Sequence, residues 1–324
     1  MPANTQRARF PLTVNTMKII VLGSAAGGGF PQWNCNCRNC AGVRSGSVAA
    51  RARTQSSIAV TQDGKDWVLI NASPDILAQI RATPALQAAR AIRDTGIAAV
   101  MLMDAQVDHV TGLLMLREGK PLPLYCTASV WNDLNTSLPL APVLSHYCGL
   151  HWHALDLVGD GPAMRPVQVP GIDGIRFTPL ALSSKAPPYS PHREHPGIGD
   201  NIGLVIEDLD SGKSLFYAPG LGAIEPQVEA AMGGADCLLV DGTFWTADEM
   251  IALGFSRKRA ADMGHLPQSG EDGMIAVLDR MGERRKILIH INNTNPILDE
   301  NSEQRATLAH HGIQVAFDGM EIAL

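Results

Sequence analysis

Ala98-Ala99-Val100-Met101-Leu102-Met103-Asp104-Ala105-Gln106-Val107-Asp108-His109 is the run that decides the fold. Its first half is apolar without a break, as in a strand buried on both faces. Its second half sets polar side chains at alternate positions in a loop. A buried strand ending in Asp-x-Gln-x-Asp-His is a natural seat for a metal or a catalytic group. Helix capping by Asp104 or Asp108 is the competing use. Asp108 and His109 suit Fe2+, Mn2+ or Zn2+.

The same grammar extends to both sides. Lys18–Gly23 predicts a strand that breaks into the tight loop Ser24–Gly29. Residues 54–61 and 67–71 predict two strands about the turn Asp63-Gly64, and Ser73 or Asp75 a cap for a helix running to about Ala82. Helical stretches are expected at 84–94, 112–117 and 129–136, with a strand at 123–128. A Gly- and Pro-rich middle, 150–182, leads to a polar loop, 183–201, carrying His192 and His195. Further strands are expected at 202–208, 214–218, 236–240, 286–291 and 313–317, and helices at 225–232, 246–253, 271–282 and 302–310. Strands alternating with helices give the α/β class. Two strand-rich halves, each followed by helices, predict sheets packed face to face with helices outside. Periodicity alone also admits a doubly wound sheet. No internal repeat is visible.

The chain has 324 residues, 45% of them hydrophobic and 18% charged, enough for a sizeable core. Its formal net charge is −6 with no Lys/Arg block, which argues against nucleic-acid and anionic-membrane partners. No apolar run reaches the roughly 18 residues a bilayer crossing needs. Residues 1–16 are polar, lack a signal-like apolar core and read as a flexible extension, so the expected location is the cytoplasm.

Of six cysteines, Cys126, Cys148 and Cys237 are scattered, while Cys35, Cys37 and Cys40 form C-x-C-x2-C. Such crowding, expected in a loop, argues for metal rather than disulfides. Thiolates favour Zn2+ or an iron–sulfur cluster, and three leave the fourth corner to a distant ligand or water. Three reduced thiols, or a redox pair, is the plainer reading. Two later histidines sit in loops: His265 within Met263–Pro267, and His290 after the strand that starts at 286. Each either points into a site or is a satisfied core residue.

Taken in order, these pieces resemble the metallo-β-lactamase superfamily, especially its Z-type ribonuclease and cyclic ribose-phosphate phosphodiesterase branch. That branch carries His-x-His-x-Asp-His after a strand; here Asp104 and Gln106 take the first two histidine positions, while Asp108 and His109 match. His265 matches a loop histidine of acid catalysis or substrate binding, and His290 the last metal ligand. The C-x-C-x2-C cluster and the closing Phe317–Ile322 are shared too. The branch completes its zinc site with a histidine where this chain has Asn293. Leu22–Cys35, Arg53-Thr54-Gln55-Ser56-Ser57, Asn71–Asp75, Gln106–Gly112 and His290–Pro296 are more similar still to the pyrroloquinoline quinone (PQQ) biosynthesis protein B family, from Met17 to Leu324.

The resemblance implies an αββα sandwich in one domain, 17–324, with a structural Zn2+ on Cys35, Cys37, Cys40 and Asn293. It also implies that the first of the two hydrolase metal sites is dismantled. Asp104 and Gln106 replace its imidazoles, Pro219 and Gly220 stand where a bridging Asp follows the strand, and the mid-chain histidine is lacking unless His192 reaches in. Asp108, His109 and His290 remain, a ligand set suited to Fe2+, with Zn2+ or Mn2+ as substitutes on isolation. The implied activity is O2-dependent hydroxylation of the tyrosine ring of a Glu–Tyr unit, with O2 as co-substrate. Asp104, Gln106 or His265 would orient the phenol or move protons, and Arg193 is a candidate partner for substrate carboxylates, or a solvated surface residue. Asp241 is a candidate support behind the metal, or a turn residue before Gly242. Ser24–Gly29 is a tight turn under the metal, or an anion cradle. Two alternatives stay open: a carrier of PQQ or its precursor on the way to the periplasm, and a surviving metallohydrolase. Expected partners are the tyrosine-derived substrate or PQQ, other proteins of that pathway, and a second copy in a homodimer.

Overall fold

The unbroken apolar runs become strands with both faces covered. The computed structural model describes residues 16–156, 158 and 163–324. The proposed extension, except its last residue, lies outside that range. In chain order the first half holds β1 (Lys18–Gly23), α1 (Arg38–Ser45), β2 (Ser57–Thr61), β3 (Trp67–Ile70), α2 (Ile76–Ala82), β4 (Ile97–Met101), α3 (Val107–Val110), β5 (Leu122–Cys126), α4 (Ala128–Asn135), α5 (Leu140–Leu144) and β6 (Leu150–Ala154). The second holds β7 (Ile175–Ala181), β8 (Ile202–Asp208), β9 (Ser214–Ala218), α6 (Pro226–Gly234), β10 (Cys237–Asp241), α7 (Glu249–Ala252), α8 (Met274–Arg280), β11 (Arg285–Ile289), α9 (Glu303–His310) and β12 (Ile313–Val315), with β13 (Glu321–Ala323) closing the chain.

Two mixed sheets result, in the orders β13-β1-β2-β3-β4-β5-β6 and β12-β11-β10-β9-β8-β7. Within β1–β6 the first two pairings are antiparallel and the rest parallel. β7–β12 repeats that pattern. So the halves share a topology although the sequence carries no visible repeat.

Alternate residues of each strand serve two cores, because side chains alternate across a strand. Ile19, Val21, Ile58, Val60, Val68 and Ile70 meet Phe177, Leu204, Leu215, Tyr217, Leu239 and Ile287 between the sheets. Ile20, Leu22, Leu69, Val100 and Leu124 face outward under Ile76 of α2 and Val130 and Leu134 of α4. Phe216, Leu238, Val240 and Leu288 face outward under Val228 of α6, Val277 of α8 and Leu308 of α9. This is the αββα sandwich. No helix of the described residues is long and apolar enough to cross a membrane.

Three local expectations are corrected. The helix expected over 84–94 is only a 3-10 turn at Pro84–Leu86. Beyond it the Arg90 guanidinium gathers Asp94, Asp66 and the Thr95 carbonyl, which fixes an irregular turn instead. Asp75 sits at the start of α2 without capping it by its side chain. Its carboxylate accepts from Gln55 N and Nε2, both at 2.9 Å. The cysteine cluster is not all loop, since Cys40 lies in α1 and Cys37 Sγ caps that helix from Cys40 N.

Candidate metal centres

The parallel strands β4, β10 and β11 end on the same side of the sandwich, where ligands of α/β sheets gather. After β4 the chain turns into the single-turn α3, which carries Asp108 and His109. After β11, His290 adopts φ 60°. That left-handed conformation is sparse for non-glycine residues and common where a side chain is aimed at a site.

These residues converge. His290 Nε2 lies 3.4 Å and His109 Nε2 3.8 Å from Asp108 Oδ2. The two rings are 5.4 Å apart at 69°. His109 Nε2 is buried with no hydrogen-bond partner. An orphaned buried nitrogen is costly, and a divalent cation between these atoms would satisfy it. The trio therefore fits a metal. Burial opposes charge on His109, but Asp104 and Asp108 outweigh it and push the imidazole up to about 9. Burial likewise opposes ionisation of Asp108, yet His109 and His290 hold its carboxyl well below the usual range. Gly27 runs against this carboxylate; a Cβ there would sit 3.2 Å from Asp108 Oδ2.

Each imidazole is braced at its other nitrogen. His109 Nδ1 lies 2.8 and 2.9 Å from the two oxygens of Asp104. His265 Nδ1 lies 2.7 Å from Asp241 Oδ2. His290 Nδ1 lies 3.0 Å from Thr243 Oγ1, which is itself 2.6 Å from Asp241 Oδ1. The one hydroxyl proton goes to the charged acceptor, so Thr243 accepts from His290 Nδ1–H. With Nδ1 donating in all three rings, loss of the second proton exposes the Nε2 lone pair, as a ligand or a base requires. Asp241 also accepts from Leu221 N and Thr243 N, both at 2.9 Å. His265 stacks on His290 at 5.3 Å and meets the Phe244 ring edge-on. Burial disfavours the charged His265, but Asp241 raises its pKa, and the pair holds Asp241 low.

The remaining sequence candidates fall around this core. Asp104 faces His109 from behind. Gln106, half-buried, opens α3. Gly220, after β9, lies against His265. His192 joins neither three-residue cluster of metal-type ligands around His290. Arg193 is committed to the backbone, donating to Ala186 O at 2.5 Å and Asp262 O at 3.5 Å. Sequence reasoning missed Thr243, whose signal is Asp241-Gly242-Thr243 directly after a buried strand. It also missed Tyr189, whose phenol donates to Ala105 O beside the centre.

The second cluster lies where α1 meets the chain after His290. Asn293 Nδ2 sits 3.1, 3.8 and 3.4 Å from the sulfurs of Cys35, Cys37 and Cys40, over the fourth corner. A half-turn of the amide would present Oδ1 to a cation there. Asn39 Nδ2 donates to Asn293 O at 3.2 Å and Asn295 O at 2.9 Å, which fixes that strand of chain on α1. Burial pushes the Cys37 thiol up to about 11. On Cys35 burial is outweighed by hydrogen bonds from Cys37, Cys40 and Asn293, and its pKa falls. Three soft sulfurs and an amide fit Zn2+.

Residues 66–291 match the family model described as the β-lactamase superfamily domain. The chain is 66% identical over 307 residues to coenzyme PQQ synthesis protein B of Cupriavidus necator, covering 94% of this chain and 99% of that one. It is 61% identical over 310 residues to the protein of the same name from Azoarcus sp., covering 95% and 100%. The crystal structure of Zn2+-bound PqqB from Methylobacterium extorquens superposes with a TM-score of 0.85 at 38% identity, covering 95% of this chain and 100% of that one. The sandwich, the trio at the strand ends and these relatives agree: the chain belongs to the coenzyme PQQ synthesis protein B family of the β-lactamase superfamily.

Proposed function

We propose that the protein acts in PQQ biosynthesis as a mononuclear Fe2+- and O2-dependent hydroxylase of the tyrosine ring in a Glu–Tyr-derived peptide. The observation that carries this reading is the Asp108–His109–His290 trio with its orphaned, buried Nε2. Two imidazoles and one carboxylate with open positions are the ligand set of non-haem Fe(II) oxygenases. A dinuclear hydrolase would need more nitrogen ligands beyond Asp108. Asp104 instead braces His109, and Gln106 and Gly220 offer neither imidazole nor carboxylate.

Fe2+ in this centre would supply O2 reduction, one oxygen atom entering the ring and the other leaving as water with two electrons and two protons from an external organic reductant. The protein's own part is positioning and proton handling. A tyrosine phenol, with pKa near 10, needs a base to ionise at neutral pH. His265 Nε2 is that base, its Nδ1–H held by Asp241 as the ring becomes charged. Asp104 steadies His109. Tyr189, in the 183–201 loop, donates to the carbonyl of Ala105 beside the centre. Other enzymes of the pathway would deliver the substrate.

The deciding assay loads the protein anaerobically with Fe2+, adds Glu–Tyr dipeptide and ascorbate, admits O2, and follows O2 uptake and product mass. A gain of one oxygen atom, absent in His109→Ala and His290→Ala, is expected. Tight PQQ binding without O2 uptake would instead make the protein a carrier.

A further inference from the structure

A cavity of about 580 Å3 lies beside the His265 loop. That volume is in the range of small-molecule sites. Two of its wall residues touch the residue before His265. Ser184 Oγ donates to Gly264 O at 3.3 Å, and a Cβ on Gly222 would meet the same oxygen at 3.2 Å. Gly264 has φ 89°, and a Cβ there would press Ser184 Oγ at 2.5 Å. Gly264, the residue before His265, is thus packed against the cavity wall.

The lining carries opposite charges that are not spent on each other. Lys185 is half-buried and forms no salt bridge among the described residues. The Glu225 carboxylate does not cap α6, which starts just after it. It accepts from Ser183 Oγ at 2.5 Å, Ser183 N at 3.3 Å and Gln227 Nε2 at 3.0 Å. A carboxylate has about four acceptor sites, so one remains for a ligand. Apolar Leu182, Ile198 and Ala261 complete the wall.

We infer that this cavity is a recognition subsite for the backbone end of an α-amino acid or dipeptide. Lys185 takes the α-carboxylate and Glu225 the ammonium, on the cavity side of Gly264. The assignment rests on the proposed peptide-derived substrate and names the groups that select it. It explains why a cation and an anion share one cavity without pairing, and why Arg193, tied to backbone carbonyls, is not needed for that task.

Calorimetry of the holoprotein under N2, with Glu–Tyr dipeptide and its N-acetyl, C-amide form as probes, tests it. Wild type should bind the zwitterion at least about tenfold more tightly than the capped form, about 1.4 kcal/mol. Lys185→Met and Glu225→Gln should each erase that preference while leaving the capped form's affinity and the thermal midpoint unchanged. Equal binding of both probes by wild type, no binding of either, or variants that keep the preference would overturn the subsite. The reading of the chemistry fails separately: preserved zwitterion selectivity without O2 uptake removes the hydroxylase and keeps the subsite, whereas O2-dependent turnover that ignores Lys185 and Glu225 does the opposite.

Discussion

Thr243 shows how much of the centre hangs on one hydroxyl. It stands between Asp241 and His290, and it also lies 3.1 Å from His265 Nδ1. Removing it leaves His290 free to carry its proton on Nε2, the wrong nitrogen for a ligand. Outer partners of metal-bound histidine typically contribute 10–100-fold in affinity. Thr243→Val should therefore weaken Fe2+ or Mn2+ binding by about tenfold or more, while Thr243→Ser restores it. Chelator competition reads this directly, and an unchanged affinity in the valine variant would show the hydroxyl to be idle. The residue also marks a limit of the sequence. Asp108, His109 and His290 could be singled out because they match the family's ligand positions, and the fold brings them together. A threonine has many uses, and its role exists only because β10 and β11 lie side by side. Asp104 is similar: its position reads as a first ligand, and only the folded turn shows it facing Nδ1 of His109.

At the scale of elements, α1 depends on chemistry its composition does not advertise. Arg-Asn-Cys-Ala-Gly-Val-Arg-Ser contains weak helix formers. The turn is held by the Cys37 cap, by Arg44 reaching the Cys35 carbonyl at 2.6 Å, and by Arg38 on Asp299 at 2.8 Å. The thiol cluster was legible in the spacing, but the helix was not, because its stability lies in the cluster rather than in propensity. The expected helix over 84–94 fails for the opposite reason: good helix formers are overridden by one arginine that collects carboxylates and a carbonyl. Zinc removal should accordingly loosen α1 while β10 and β11 stay intact. Hydrogen exchange should show the amides of 38–46 losing protection and those of the two strands keeping it; uniform loss would mean the cluster supports the whole core. The pH dependence has a definite sign. With its pKa raised to about 11, Cys37 is protonated at neutral pH, so zinc must displace that proton. Affinity should climb between pH 6 and 8, by about tenfold per pH unit for each proton displaced. A flat profile would mean the thiol is already ionised.

The molecule as a whole is two sheets that meet over the centre. That the strands are covered on both faces follows from their apolar runs, since a strand that is apolar at every position needs cover on each face; two packed layers rather than one doubly wound sheet are implied by the family resemblance. What the runs do not reveal is how the ends close. β13 is three residues long and pairs with β1 through Ile19 and Ile322, a register no local pattern announces. At the centre, Asp108 and His109 follow β4 of one sheet and His290 follows β11 of the other, so a bound cation ties the layers together. It adds to ties the protein already makes there, among them Ile202 N to Met103 O at 2.9 Å, Ala26 N to Ile291 O at 2.9 Å and Ile291 N to Ser24 O at 3.0 Å. Metal at this centre should thus stabilise the global fold rather than a local loop. Mn2+ is the suitable probe, because it is redox-inert under assay conditions and poorly matched to the thiol cluster. At a hundredfold excess over its Kd it should add about 2.7 kcal/mol, which for a chain of this size is on the order of 5 °C in the thermal midpoint. His109→Ala, which strips the first sheet of its imidazole, and His290→Ala, which detaches the second sheet, should both abolish the increase. A shift that survives in His290→Ala would locate the cation within one layer, and the trio would then not be the unit that binds it.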